Sequence, residues 1–124
     1  MFDHVSIGVR NLQAAGRFYD RVLRPLGFTR LYDKHDTLGY GVRAPQFWLS
    51  ETETPVPADP RSGLHICFRA ETRDAVNAFH AIALAEGASD NGAPGLRPQY
   101  APNYYGGFVI DPDGYRLEAV CYGE

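Results

Sequence analysis

Polar and apolar residues alternate along His4-Val5-Ser6-Ile7-Gly8-Val9. This is the period-two pattern of a half-buried strand, with Val5, Ile7 and Val9 on one face and His4, Ser6 and Gly8 on the other. Asn11 is placed to cap a helix. Beyond it Leu12, Ala15, Phe18, Tyr19, Val22, Leu23 and Leu26 follow helical spacing, and Gly27 ends the run. Short strands are expected at 28–32, 39–43 and 47–50, separated by polar or proline-containing turns. Residues 52–63 hold three prolines and no periodicity, which reads as a linker.

After the linker the plan returns. His65 to Arg69 alternates as a strand, Thr72 can cap a helix, and Ala75, Val76, Phe79 and Ala83 form its apolar stripe up to Gly87. The pairs His4/His65, Phe18/Phe79 and Leu23/Leu84 all share an offset of 61 positions, so the pattern repeats although the letters differ. Residues 88–103 are rich in glycine and proline and read as a long, lid-like loop. The chain then closes with Phe108-Val109-Ile110, the turn Asp111-Pro112-Asp113-Gly114, and a strand in which Arg116, Glu118 and Val120 share one face. The expected architecture is α+β. Two βαβββ modules, 1–51 and 64–124, flank the linker 52–63.

Composition narrows the function without naming it. The 124 residues suit one compact domain or two small halves, and 44% apolar content is ample for a core. Net charge is −3 and the arginines are scattered, which argues against a nucleic-acid partner. Apolar runs are too short for a membrane span, and no charged-then-apolar segment opens the sequence, so a cytoplasmic location is expected. Cys67 and Cys121 form no CxxC pair and read as reduced thiols, Cys67 sharing a strand face with His65.

The candidate chemistry starts from Glu118, a carboxylate in mid-strand among apolar neighbours. Such a group is costly unless paired, solvated or bound to a cation. His4 and His65 occupy matching positions of the repeat. Two imidazoles and one carboxylate make a facial triad that holds a divalent metal and leaves positions open for substrate. Arg97, Tyr100, Tyr104 and Tyr105 lie between the expected lid and the terminal hairpin and are candidate substrate contacts, with Trp48 and Cys67. His35 and His80 are left outside the site, the Asp-Pro-Asp-Gly stretch is a turn, and no catalytic residue is assigned. No GxGxxG, Walker or GxSxG motif is present.

The segments "DHVSIGV", "FYDRVLRPLGF", "GLHICF" and "FVIDPDGYRLEAV" resemble the vicinal oxygen chelate superfamily, which contains glyoxalases, fosfomycin-resistance thiol transferases, extradiol dioxygenases and bleomycin-resistance proteins. The resemblance implies paired βαβββ modules whose curved, mostly antiparallel sheets enclose a metal cavity. It also implies a small-molecule substrate and a homodimer. Carried over, it makes His4, His65 and Glu118 ligands of one divalent ion, zinc, nickel, manganese or iron. Where glyoxalase I commonly has a fourth, carboxylate ligand, this chain has Trp48 or Leu49. The expected function is a metal-dependent glyoxalase-like lyase, isomerase or thiol transferase acting on a substrate chelated through adjacent oxygens. The alternatives are a metal-free ligand-binding protein of the bleomycin-resistance kind and an Fe(II) extradiol-type dioxygenase.

Overall fold

The computed structural model describes residues 1–56 and 59–123. The chain divides into two compact units, Met1–Pro57 and Ala58–Glu124. Pro57 and Ala58, within the expected linker, lie outside the described residues, as does Glu124.

In the first unit β1 (Val5–Val9) leads into α1 (Leu12–Val22), followed by a 3-10 turn (Arg24–Leu26), β2 (Thr29–Lys34), β3 (Thr37–Gly41) and β4 (Pro45–Glu51). The Asn11 side chain accepts a hydrogen bond from the Ala14 N–H at 3.0 Å, so the polar residue before the apolar stripe does cap the helix. Ala15, Phe18, Tyr19 and Val22 are the buried stripe. The helix stops earlier than expected, at Val22 rather than Leu26. Pro25 has no N–H to continue the ladder and its ring crowds the preceding turn, so the chain tightens into the 3-10 turn before Gly27. The β2–β3 hairpin turns on His35 and Asp36, both at positive φ (53° and 57°), the conformation of a two-residue type I′ turn.

The second unit repeats the order. A 3-10 turn (Pro60–Ser62) precedes β5 (His65–Arg69), α2 (Arg73–Ala85), β6 (Ser89–Leu96), β7 (Tyr105–Ile110) and β8 (Arg116–Cys121). Thr72 caps α2 by accepting from the Ala75 N–H at 3.0 Å. The lid-like loop expected at 88–103 is a misreading for half of its length. Residues Ser89–Leu96 form an edge strand paired with β7. Glycines and Pro94 hid it, and an edge is where a proline and register shifts are tolerated; the pairing slips near Gly92 and Gly95. His80, expected at the helix edge, is buried, and its Nε2 meets Asp90 Oδ1 at 2.9 Å, tying α2 to β6.

Each unit holds a four-stranded mixed sheet, in the orders β1-β4-β3-β2 and β5-β8-β7-β6. In each, the first and last strands pair in parallel and the other pairings are antiparallel. The α+β, paired-βαβββ expectation is therefore met. α1 packs on β3 and β4, and α2 on β6, β7 and β8. The cores follow: Phe18, Tyr19, Val22, Leu23, Leu38 and Leu49 in the first unit, Phe79, Val109, Leu117 and Ala119 in the second. The turn 111–114 is structural, since buried Asp111 accepts from the N–H groups of Asp113 and Tyr115 at 3.0 and 2.8 Å. Among the described residues no helix is long and apolar enough to cross a membrane.

One part-buried polar contact fastens α1 to its sheet. The Tyr40 hydroxyl donates to Asp20 at 2.9 Å, and Asp20 also receives Arg30 at 2.8 Å. Burial, then the Asp20 carboxylate, push the Tyr40 pKa well above the ordinary tyrosine range, so the hydroxyl keeps its proton. Tyr40→Phe removes this part-buried hydrogen bond and should lower unfolding stability in urea by about 1 kcal/mol. An unchanged midpoint would show that the contact contributes nothing.

Candidate functional site

In the second unit the chemistry gathers on the sheet face opposite α2. Alternation along β8 sends Leu117, Ala119 and Cys121 toward the helix and Arg116, Glu118 and Val120 to the other face. Parallel pairing sets Cys67 beside Glu118 and His65 beside Arg116. Antiparallel pairing sets Phe108 on the other side of Glu118. The sheet register alone thus surrounds the carboxylate with His65, Cys67 and Phe108.

Glu118 is 2% exposed, and both its oxygens have partners. His65 Nε2 lies 3.0 Å from Oε1. The Tyr104 hydroxyl donates to Oε2. Close approach of the neighbouring backbone requires a glycine, because a Cβ on Gly106 would stand 2.9 Å from Oε2. Burial, followed by the bond to Glu118, raises the Tyr104 pKa far above its ordinary value, so the phenol stays a donor. Burial and then the negative charge of Glu118 push the Cys67 thiol up to about 12 although solvent reaches the residue, so Cys67 is a thiol at neutral pH.

Beside this cluster lies a cavity of about 470 Å³ lined by His65, Asn91, Arg97, Tyr100, Phe108 and Arg116, among others. Arg97 and Tyr100 are where the sequence reading expected substrate contacts. Tyr104 stacks edge-on between Tyr100 and Tyr122, at 5.1 and 5.3 Å. Tyr105 turns elsewhere: its hydroxyl donates to Asn77 of α2 at 2.7 Å and Arg73 lies over its ring. The sequence reading missed Asn91, Phe108 and Arg116. Arg116 was recoverable, since it stands two residues before Glu118 on the same strand face; Asn91 was lost with the strand it sits on.

In the first unit His4 is half exposed, its Nδ1 2.6 Å from Asp3 Oδ1. It lines a shallow pocket with Ser6, Thr37, Trp48 and Ser50. Register fixes the question of the missing carboxylate. Ser6 pairs with Trp48 in β1–β4, and its counterpart Cys67, 61 positions on, pairs with Glu118 in β5–β8. Trp48 is the first unit's equivalent of Glu118. Tyr32 packs edge-on against its indole at 5.1 Å.

Residues 1–119 match the sequence pattern of the Glyoxalase/Bleomycin resistance protein/Dioxygenase superfamily. The chain belongs to this superfamily. None of the curated proteins matches it. Among solved structures, a glyoxalase/bleomycin resistance protein from Albidiferax ferrireducens T118 is 28% identical, with 98% of each chain covered and a TM-score of 0.87. A putative glyoxalase from Bacillus halodurans is 24% identical over 98% of this chain and 95% of its own, with a TM-score of 0.70. The fosfomycin resistance protein FosX from Mesorhizobium loti is 15% identical over 100% and 92%, again at 0.70, and shares the fold.

Proteins of the superfamily commonly hold a divalent metal, and the donor chemistry here fits one. An imidazole nitrogen and a carboxylate oxygen converge within 3.0 Å, a set suited to zinc, manganese, nickel or ferrous iron. The second unit supplies two donors by itself; among the described residues no group of three or more His, Cys, Asp and Glu side chains forms a ready-made cage. Because Tyr104 and Glu118 share one part-buried hydrogen bond, their effects on stability should not add. A double-mutant cycle of Tyr104→Phe and Glu118→Gln, followed by urea unfolding, should give a coupling of roughly 0.5–3 kcal/mol. Simple additivity would contradict the contact.

Proposed function

We propose that this superfamily member is a metal-dependent glyoxalase-like enzyme, a lyase, isomerase or thiol transferase, with His4, His65 and Glu118 as ligands of one divalent ion. The observation that carries the proposal is Glu118 itself: a 2% exposed carboxylate in mid-strand, within 3.0 Å of an imidazole and beside a cavity of small-molecule size. A bound ion would act as a Lewis acid on two neighbouring substrate oxygens, stabilising an enolate or oxyanion. The chain's own residues position that chemistry. Tyr104 holds Oε2 and leaves Oε1 turned to His65, fixing the carboxylate's orientation as outer partners of metal ligands do. His4, the repeat's counterpart of His65, is the third donor, supplied by the same chain or by a second copy. Trp48 in place of a carboxylate gives the first unit no acid or base at the position equivalent to Glu118. A homodimer and a cytoplasmic location belong to the same reading.

A second reading, a metal-free ligand-binding protein, rests on a specific observation. His65 and Tyr104 already satisfy both oxygens of Glu118, so burial of that carboxylate does not by itself demand a cation.

Elemental analysis of the untagged protein separates the two. Wild type should carry near-stoichiometric metal, and His65→Ala and Glu118→Gln should lose it while their circular dichroism spectra stay native. A wild type that stays metal-free after incubation with zinc, nickel, manganese and anaerobic iron would overturn the enzyme reading and favour the binding protein.

A further inference from the structure

Two of the chain's arginines are answered by carboxylates: Arg30 by Asp20 and Asp33, Arg61 by Asp59. The two in the second unit's cavity are different. Arg97 and Arg116 are half-buried, and among the described residues neither has an acidic partner, in a chain with more acidic than basic groups. A half-buried cation left unpaired is a standing cost that an anionic ligand removes.

Their surroundings hold them ready rather than neutralised. The Arg97 guanidinium lies 5.2 Å over the Phe108 ring, and Nη2 donates to the Ala93 carbonyl at 2.8 Å. β6 leaves room for it: a Cβ on Gly92 would come within 3.4 Å of Nη2, and one on Gly95 within 3.2 Å of Nη1. Arg116 spends only Nε, on the Leu64 carbonyl at 3.3 Å, which leaves its terminal amino groups without a protein acceptor among the described residues. Asn91 adds an amide to the same wall. Glu118, two residues along from Arg116 on the same face, repels an anion placed next to it. That repulsion orients the occupant: its charged end sits on the arginines and its other end reaches toward His65.

We propose that the cavity takes a small molecule bearing an oxyanion group, a carboxylate or a phosphonate, bound through Arg97 and Arg116, with its apolar part against Phe108 and Tyr100. Planar oxyanions match the guanidinium fork, so each arginine supplies directional as well as ionic recognition. This specifies the substrate class of the proposed enzyme site and rests on that cavity being the substrate pocket.

The test is calorimetric titration of the full chain, stripped with a chelator, using benzoate, phenylphosphonate and neutral benzamide. At least one anion should bind more tightly than benzamide. Arg97→Met and Arg116→Met, which keep most of the apolar stem, should each weaken that anion roughly tenfold or more and leave benzamide unchanged. Arg97→Lys should restore part of the loss. Thermal unfolding of each variant identifies any that fail to fold, and the Lys variant then carries the comparison for Arg97. Equal binding of benzamide and the anions, or no loss in the folded arginine variants, would overturn the proposal. So would anion binding that needs added metal and ignores the arginines. Arginine-dependent binding to chelator-stripped protein would uphold it even if elemental analysis found no metal, so the two readings fail separately.

Discussion

A carboxylate buried in the middle of a β-strand has to be answered by donors or by a cation, and the second unit is arranged around answering one. Glu118 is 2% exposed, and stripping away its partners would leave a charge whose burial costs several kcal/mol. Each neighbour follows from that constraint. Parallel pairing of β5 with β8 places His65 and Cys67 alongside it. Gly106 keeps β7 clear of Oε2. Tyr104 arrives from the turn before β7 with a hydroxyl whose proton is held firmly enough to serve as a permanent donor. Burial and then the charge of Glu118 hold Cys67 as a thiol at neutral pH.

The two units share a topology and differ in chemistry, and the difference falls at matched positions. Ser6 and Trp48 occupy in the first sheet the places of Cys67 and Glu118 in the second. The first unit therefore presents an imidazole and an indole where the second presents an imidazole and a carboxylate. Superfamily membership accounts for the fold. The site's character comes from these substitutions, because a fold carries many chemistries and only the residues set on it choose among them.

Much of this was legible in the sequence because the strongest signals were local. Asn11 and Thr72 announced the helices, strand alternation placed His65 and Glu118, and the offset of 61 positions exposed the repeat. What stayed hidden depended on pairing. β6 lacks a run of branched or aromatic residues, and its glycines serve a strand at a sheet edge and the Arg97 side chain, features that only a neighbouring strand reveals. With β6 went Asn91 and the setting of Arg97. Pro25 was visible, yet the apolar spacing through Leu26 outweighed it, since a 3-10 turn continues the same buried face. Tyr104 and Tyr105 are adjacent letters with opposite fates: Tyr105 opens β7 and bonds Asn77 of α2, while Tyr104, one residue before the strand, bonds Glu118.

The most direct test is anomalous diffraction at the zinc edge from crystals of the full chain grown with zinc. The account predicts a peak at a coordination distance of roughly 2.0–2.2 Å from both His65 Nε2 and a Glu118 carboxylate oxygen. A zinc peak only elsewhere, or none while His65 and Tyr104 remain on Glu118, would contradict it.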